Sequence, residues 1–163
     1  MNVLDVMKYG HLTLLEKLGG LPESAWEVKG VVGSWSVKDL VAHLASFEQV
    51  LVELLGSFLD PSQPTPTLEL FHSRPDFNDT QVAARREMAP SDVLSEYERW
   101  HTRALELAAR LPPDVFRQHG TLPWYGMDYD LEDFIVYTYY GHKREHGAQI
   151  ALFKKRHAQE KTG

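Results

Sequence analysis

Apolar residues recur at three- and four-residue steps along four long stretches of this chain, and no stretch alternates with the period of a strand. That pattern restricts the chain to helices that each bury one face. The first stretch, residues 2–19, carries Leu4, Met7, His11, Leu14, Leu15 and Leu18, and Gly19-Gly20 with Pro22 stops it. The second begins at Ser36, where Ser36-Val37-Lys38-Asp39 reads as a near capping box. Its stripe is Leu40, Leu44, Phe47, Leu51, Leu54, Leu55 and Phe58, and Pro61 and Pro64 end it before about residue 60. The third begins at Pro90-Ser91 with Ser91 as the expected N-cap, and runs through Leu94, Tyr97, His101, Ala104, Leu105, Ala108 and Leu111 to Pro112-Pro113. The fourth opens at Asp130, its expected cap, and runs to about Arg156.

The expected fold class is therefore all-α, a four-helix bundle. The connection over residues 60–90 is long enough to cross the bundle, so periodicity leaves both an antiparallel and a crossover arrangement open. Pro61, Pro64, Pro66 and Pro75 predict that its first part is extended or irregular, with a short helix from near Asp76–Asn78 to about Glu87. Arg74, Asn78 and Arg85 read as solvated polar residues on it. Trp26 and Trp35, bracketing Gly30 and Gly33, either close one end of the bundle or wall a pocket.

A chain of 163 residues, 43% hydrophobic and 25% charged, is expected to form one domain over 1–163 with its own core. It has no cysteine, which excludes disulfides, thiolate zinc sites and a cysteine nucleophile. A formal charge of −6 without a basic run argues against nucleic acid as a partner. Lys154-Lys155-Arg156 reads as cations suited to the end of the last helix. No apolar run approaches the roughly 18 residues of a spanning helix, and the start of the chain is unlike a signal peptide. The expectation is a soluble, cytoplasmic protein with no membrane partner.

His142 and His146 lie four residues apart, about 40° around a helix, so both imidazoles face one point. Counting about 100° per residue puts Leu131, Ile135, Thr138, Gln149 and Phe153 within about 40° of His142, on the buried stripe. Adjacent imidazoles facing a core need a reason, and a metal is the most economical one. His43, at the edge of the second stripe, completes a set of three ligands that leaves a position open for water or substrate. Imidazole suits zinc, nickel, iron and manganese alike. Gln149 could fix a ligand tautomer or contact substrate, and His101, near the centre of the third stripe, is a candidate pocket residue. Glu145 reads chiefly as a surface residue. No His-Glu-X-X-His motif, nucleophile elbow or paired Glu-X-X-His motif is present.

Trp35-Ser36-Val37-Lys38-Asp39-Leu40-Val41-Ala42-His43-Leu44 resembles the helix-two signature of the DinB/YfiT-like superfamily, and His142-X3-His146-X2-Gln149 resembles its helix-four signature. The helix-two stretch is similar, more distantly, to the ClbS/DfsB relatives. The resemblance implies a bundle in down-up-up-down order with the long crossover between helices two and three. It also implies a divalent metal held by His43, His142 and His146. Gly147 and Ala148 stand where Arg and Gly are common in that family, and Glu145 where a further histidine is often found. Members include transferases and isomerases that use a low-molecular-weight thiol, and proposed hydrolases.

The expected function is that of a metal-dependent enzyme acting on a small molecule, by hydrolysis or by transfer to an external thiol. The alternative is a non-catalytic bundle that binds or sequesters a small molecule. A homodimer formed through an exposed apolar helix face is expected under either.

Overall fold

The structure is a computed structural model that describes residues 2–162. Among these residues it is all-helical, consistent with a DinB-like helical bundle, and pairs backbone strand-fashion only at an isolated bridge between Val32 and Trp35. By contacts the chain divides into two compact units, Met1–Gly19 with Ala109–Gly163, and Gly20–Ala108.

The first unit contains α1 (Val3–Leu18), α6 (Leu131–Ile135) and α7 (His142–Thr162), the last two joined by a wider turn over Val136–Gly141. Asn2 caps α1, its side-chain oxygen accepting from the N–H of Leu4 at 3.0 Å. Val3, Met7, Gly10, Leu14 and Leu18 form the buried face of α1, which packs on α7 and on the wide turn. At the other end, the Lys154 ammonium reaches back from α7 to the Lys17 carbonyl at 3.0 Å and to that of Gly19. Those carbonyls have no partner within α1, so a side chain from another helix closes it.

The second unit contains α2 (Val37–Leu59), α3 (Pro66–Ser73), α4 (Phe77–Ala84) and most of α5 (Pro90–Arg110), with α3 and α4 packed on α2. Ser36 caps α2 in a complete box: its hydroxyl accepts from Asp39 N–H at 3.1 Å and the Asp39 carboxylate from Ser36 N–H at 2.9 Å. Burial pushes the Asp39 carboxyl up, but hydrogen bonds from Lys29 and Ser36 outweigh it and hold it below its ordinary value. By length and composition α2 could cross a membrane, yet most of the stretch that passes this test is buried inside the protein, as in a core helix.

The connection after α2 corrects the expectation drawn from its prolines. Residues 66–73 are helical because Pro66 occupies the first helical turn, where its missing N–H has no helical partner to lose. Thr65 gives α3 no side-chain cap. Glu53 of α2 supplies one instead, its Oε1 accepting from Thr67 N–H at 2.8 Å and Leu68 N–H at 3.2 Å. Glu53→Ala is therefore expected to cost about 1 kcal/mol. Amide exchange at Thr67 and Leu68 should quicken while that of α5 does not; unchanged exchange at these two amides would exclude the cap. The third long helix begins at Pro90, with Ala89 rather than the expected Ser91 in the capping position. The Ala89 carbonyl takes the first bonds, from Asp92 and Val93, which places Ser91 inside the helix.

Candidate metal centre

The last helix is built in two registers. Asp130 and Asp133 close its start with a second capping box, at 3.0 and 2.7 Å. Over Val136–Gly141 the helix then opens into a π turn, and the backbone N–H of His142 bonds the Tyr137 carbonyl. A π turn carries one residue more than an α turn, so faces counted at 100° per residue do not run through it. Beyond it, α7 buries Lys143, His146, Gly147, Ile150 and Phe153, while His142 and Gln149 are half-buried at the margin. The expectation that both histidines lie inside one stripe with Leu131, Ile135 and Thr138 is corrected to this extent, and the cause is the extra residue.

The pair itself is as expected. The imidazoles of His142 and His146 have centroids 4.4 Å apart, and their Nε2 atoms stand at 2.8 Å. The Nδ1 of His146 meets Gln149 Oε1 at 2.7 Å, and the Thr138 carbonyl hydrogen-bonds the His142 ring. Both partners are acceptors, so each ring donates its N–H to them and turns an Nε2 lone pair toward the other ring. Two lone pairs at 2.8 Å repel unless a cation or a proton lies between them. Burial, with the neighbouring His146, pushes His142 down to about 4 against the opposing pull of Thr138. Burial also lowers His146, against Gln149 and the exposed Glu145.

In the other unit, His43 lies on α2 at 3% exposure. It was expected at the edge of a stripe, but the first ten residues of α2, Val37 to Ser46, are all buried, so that part of the helix has no edge. Its ring packs between Trp35, at 5.1 Å, and Phe47, at 4.7 Å. Phe47 meets Phe71 of α3 at 5.5 Å, and Phe71 meets Phe77 of α4 at 5.5 Å. Trp35 thus walls His43, whereas Trp26 is buried and accepts the Lys38 N–H at 2.9 Å.

His101 is buried on α5, stacked on Tyr97 at 6.3 Å and with its Nδ1 3.7 Å from Glu48 Oε1. The structure therefore brings Gln149 to the His142–His146 pair as an orienting partner and sets His101 beside Glu48.

Among the buried ionisable residues missed from the sequence are Glu48 and Lys143, both at 1% exposure, and Arg85 at 7%. The signal for Glu48 was present: Leu44, Glu48, Leu51 and Leu55 follow one another at steps of four and three. Lys143 stands at the same spacing from Gly147 and Ile150, and counting back from Phe153 rather than forward from Leu131 would have found it.

Comparison with known proteins adds the family. No curated protein matches the chain. Among solved structures, an uncharacterised protein from Escherichia coli UTI89 is similar, with a TM-score of 0.72 at 14% identity over 96% of this chain and 92% of that one. At that identity the likeness concerns the fold alone. The family model for the DinB superfamily matches residues 11–150, and the chain belongs to that superfamily.

Proposed function

We propose that this protein is a metal-dependent enzyme whose ion is held by His43, His142 and His146. The observation that carries the reading is the pair of Nε2 atoms 2.8 Å apart, each ring tied on its far side to an acceptor. That is how metal-ligating histidines are held: the outer N–H is engaged and the inner nitrogen is presented as a lone pair. His43 is the third donor of this proposal, and three imidazoles offering one ring nitrogen each can hold a metal ion. Membership of the DinB superfamily, whose members bind metal, supports the reading. Imidazole donors suit zinc, nickel, iron or manganese.

Three protein ligands leave a position for a small molecule. A metal there lowers the pKa of a bound water or thiol, the chemistry of a hydrolase or a thiol-dependent transferase. A thiol would come from solution, because the chain has no cysteine. Gln149 fixes the His146 tautomer, and the aromatic rings beside His43 keep water from one side of its imidazole. His101 is carried as a pocket residue in the same reading, and a cytoplasmic homodimer belongs to it as well.

The test is metal analysis of protein prepared without a polyhistidine tag. About one equivalent of metal is expected, with His142→Ala and His146→Ala losing it while circular dichroism stays unchanged. A wild-type protein that binds none of zinc, nickel, iron or manganese would sink the reading in favour of a non-catalytic binding protein.

A further inference from the structure

We infer that the π turn at Val136–Gly141 is a positioning device for His142, acting through the Thr138 carbonyl and seated on Gly10. The inference rests on the proposed metal site and names what aims one of its ligands. In an α-helix the Thr138 carbonyl would accept the backbone N–H of His142. Here that N–H bonds the Tyr137 carbonyl, one residue further back. The Thr138 carbonyl is thereby released, and it hydrogen-bonds the His142 ring. A ring held this way has its tautomer and plane fixed, with Nε2 turned toward His146 at 2.8 Å.

Gln149 does the same for His146, but it does so with a side chain. His142 is served by a backbone group that only the extra residue makes available. The wide turn also needs room on its inner side. Gly10 of α1 provides it: a Cβ built there would stand 2.6 Å from the Tyr139 carbonyl oxygen and 3.4 Å from Tyr140 Cα. Thr138 and Gly10 are therefore positioning residues, neither of which touches the metal itself.

Deleting Thr138 should close the turn to a regular α-helix while leaving the faces of α6 and α7 in register, because the turn carries one residue in excess. Two readouts follow: the protonated ring nitrogen of each histidine by long-range 1H–15N NMR on metal-free protein, and the affinity for Co(II) by its visible absorption. In the wild type, His142 should carry its proton on Nδ1. In the deletion variant that tautomer should lose its dominance, and Co(II) should bind roughly 10- to 100-fold more weakly at unchanged helicity. Gly10→Ala, which presses on the Tyr139 carbonyl without shortening the chain, should move both readouts the same way and serves if the deletion does not fold.

A wild type with its His142 proton on Nε2 overturns the inference whatever the metal result. So do variants that keep both the tautomer and the Co(II) affinity. A wild type with the Nδ1 proton that binds no Co(II) supports the aiming of the ring and removes the metal reading alone.

Discussion

Replacing Arg85 by methionine is expected to cost about 3–5 kcal/mol, the effect of breaking a buried ion pair from one side. The Arg85 and Glu96 side chains are only 8% and 16% exposed. The guanidinium donates Nε to Glu96 Oε1 and Nη2 to Oε2, both at 2.9 Å, the bidentate fork that arginine makes with a carboxylate. Nη1 reaches the Gln81 carbonyl at 3.1 Å and Gln81 Oε1 at 3.0 Å, and Trp100 donates to Glu96 at 3.0 Å. Methionine fills the space but leaves the carboxylate without its cation. Urea denaturation measures the loss, and Arg85→Met with Glu96→Leu should regain most of it, because no charge is then left buried. A single variant within 1 kcal/mol of wild type would show the network to be dispensable.

The same pair sets a pH dependence. Burial pushes the Glu96 carboxyl up, yet hydrogen bonds from Arg85 and Trp100 outweigh it and leave it below its ordinary value. A depressed folded-state value means that the ionised carboxylate favours folding. That stability is present above the unfolded value near 4.5 and is lost as the pH falls through the lower folded one. Glu96→Gln should flatten that part of the acid unfolding curve.

Gly10→Ala should destabilise the protein by about 2 kcal/mol, and Gly10→Val by about 3 kcal/mol or more. Helix propensity alone argues the other way, favouring alanine over glycine by about 1 kcal/mol. The contact decides the sign. A Cβ at Gly10 stands 2.6 Å from the backbone oxygen of Tyr139, which cannot swing aside as a side chain can. Two other glycines isolate this cause. A Cβ at Gly56 meets nothing within 4 Å, so Gly56→Ala in α2 should gain about 0.5–1 kcal/mol. At Gly147 the neighbour is the flexible Lys17 Cγ at 3.3 Å, and alanine there should be close to neutral. Thermal unfolding of the three alanine variants reads the order; a Gly10→Ala protein as stable as Gly56→Ala would contradict the close approach.

Much of the fold was legible because helix starts are local chemistry. Ser36-X-X-Asp39 and Asp130-X-X-Asp133 satisfy their own first-turn donors, and the caps Ser36 and Asp130 stand where the sequence places them. Apart from the cap expected at Ser91, what failed involved residues whose role depends on distant partners. Pro66 begins α3 rather than preventing it, with a carboxylate borrowed from α2. Arg85 looks like a surface residue until Glu96, Gln49 and Gln81 gather round it, and it is then buried at 7% exposure. The histidine pair and its partner Gln149 were legible from spacing alone, since four residues and three residues on one helix fix who meets whom. The π turn was not, because no residue of Val136-Tyr137-Thr138-Tyr139-Tyr140-Gly141 announces it. Its local energy is unfavourable, and the room that accommodates it lies on Gly10 of another helix.

The enclosure of α2 bears on how such a sequence can change over generations. A helix ordinarily drifts on its solvated back while its inner face stays fixed. From Val37 to Ser46 there is no such back: every position is buried, including Lys38, Asp39 and His43. A single replacement there either opens a void, overfills one or strands a polar group, each costing about 1–5 kcal/mol. Lineages can therefore alter this segment chiefly by paired exchanges in which a neighbour compensates, as between Lys38 and Glu27 at 2.9 Å or Asp39 and Lys29 at 2.8 Å. Single-step divergence is left to the exposed backs of the other long helices and to the connections.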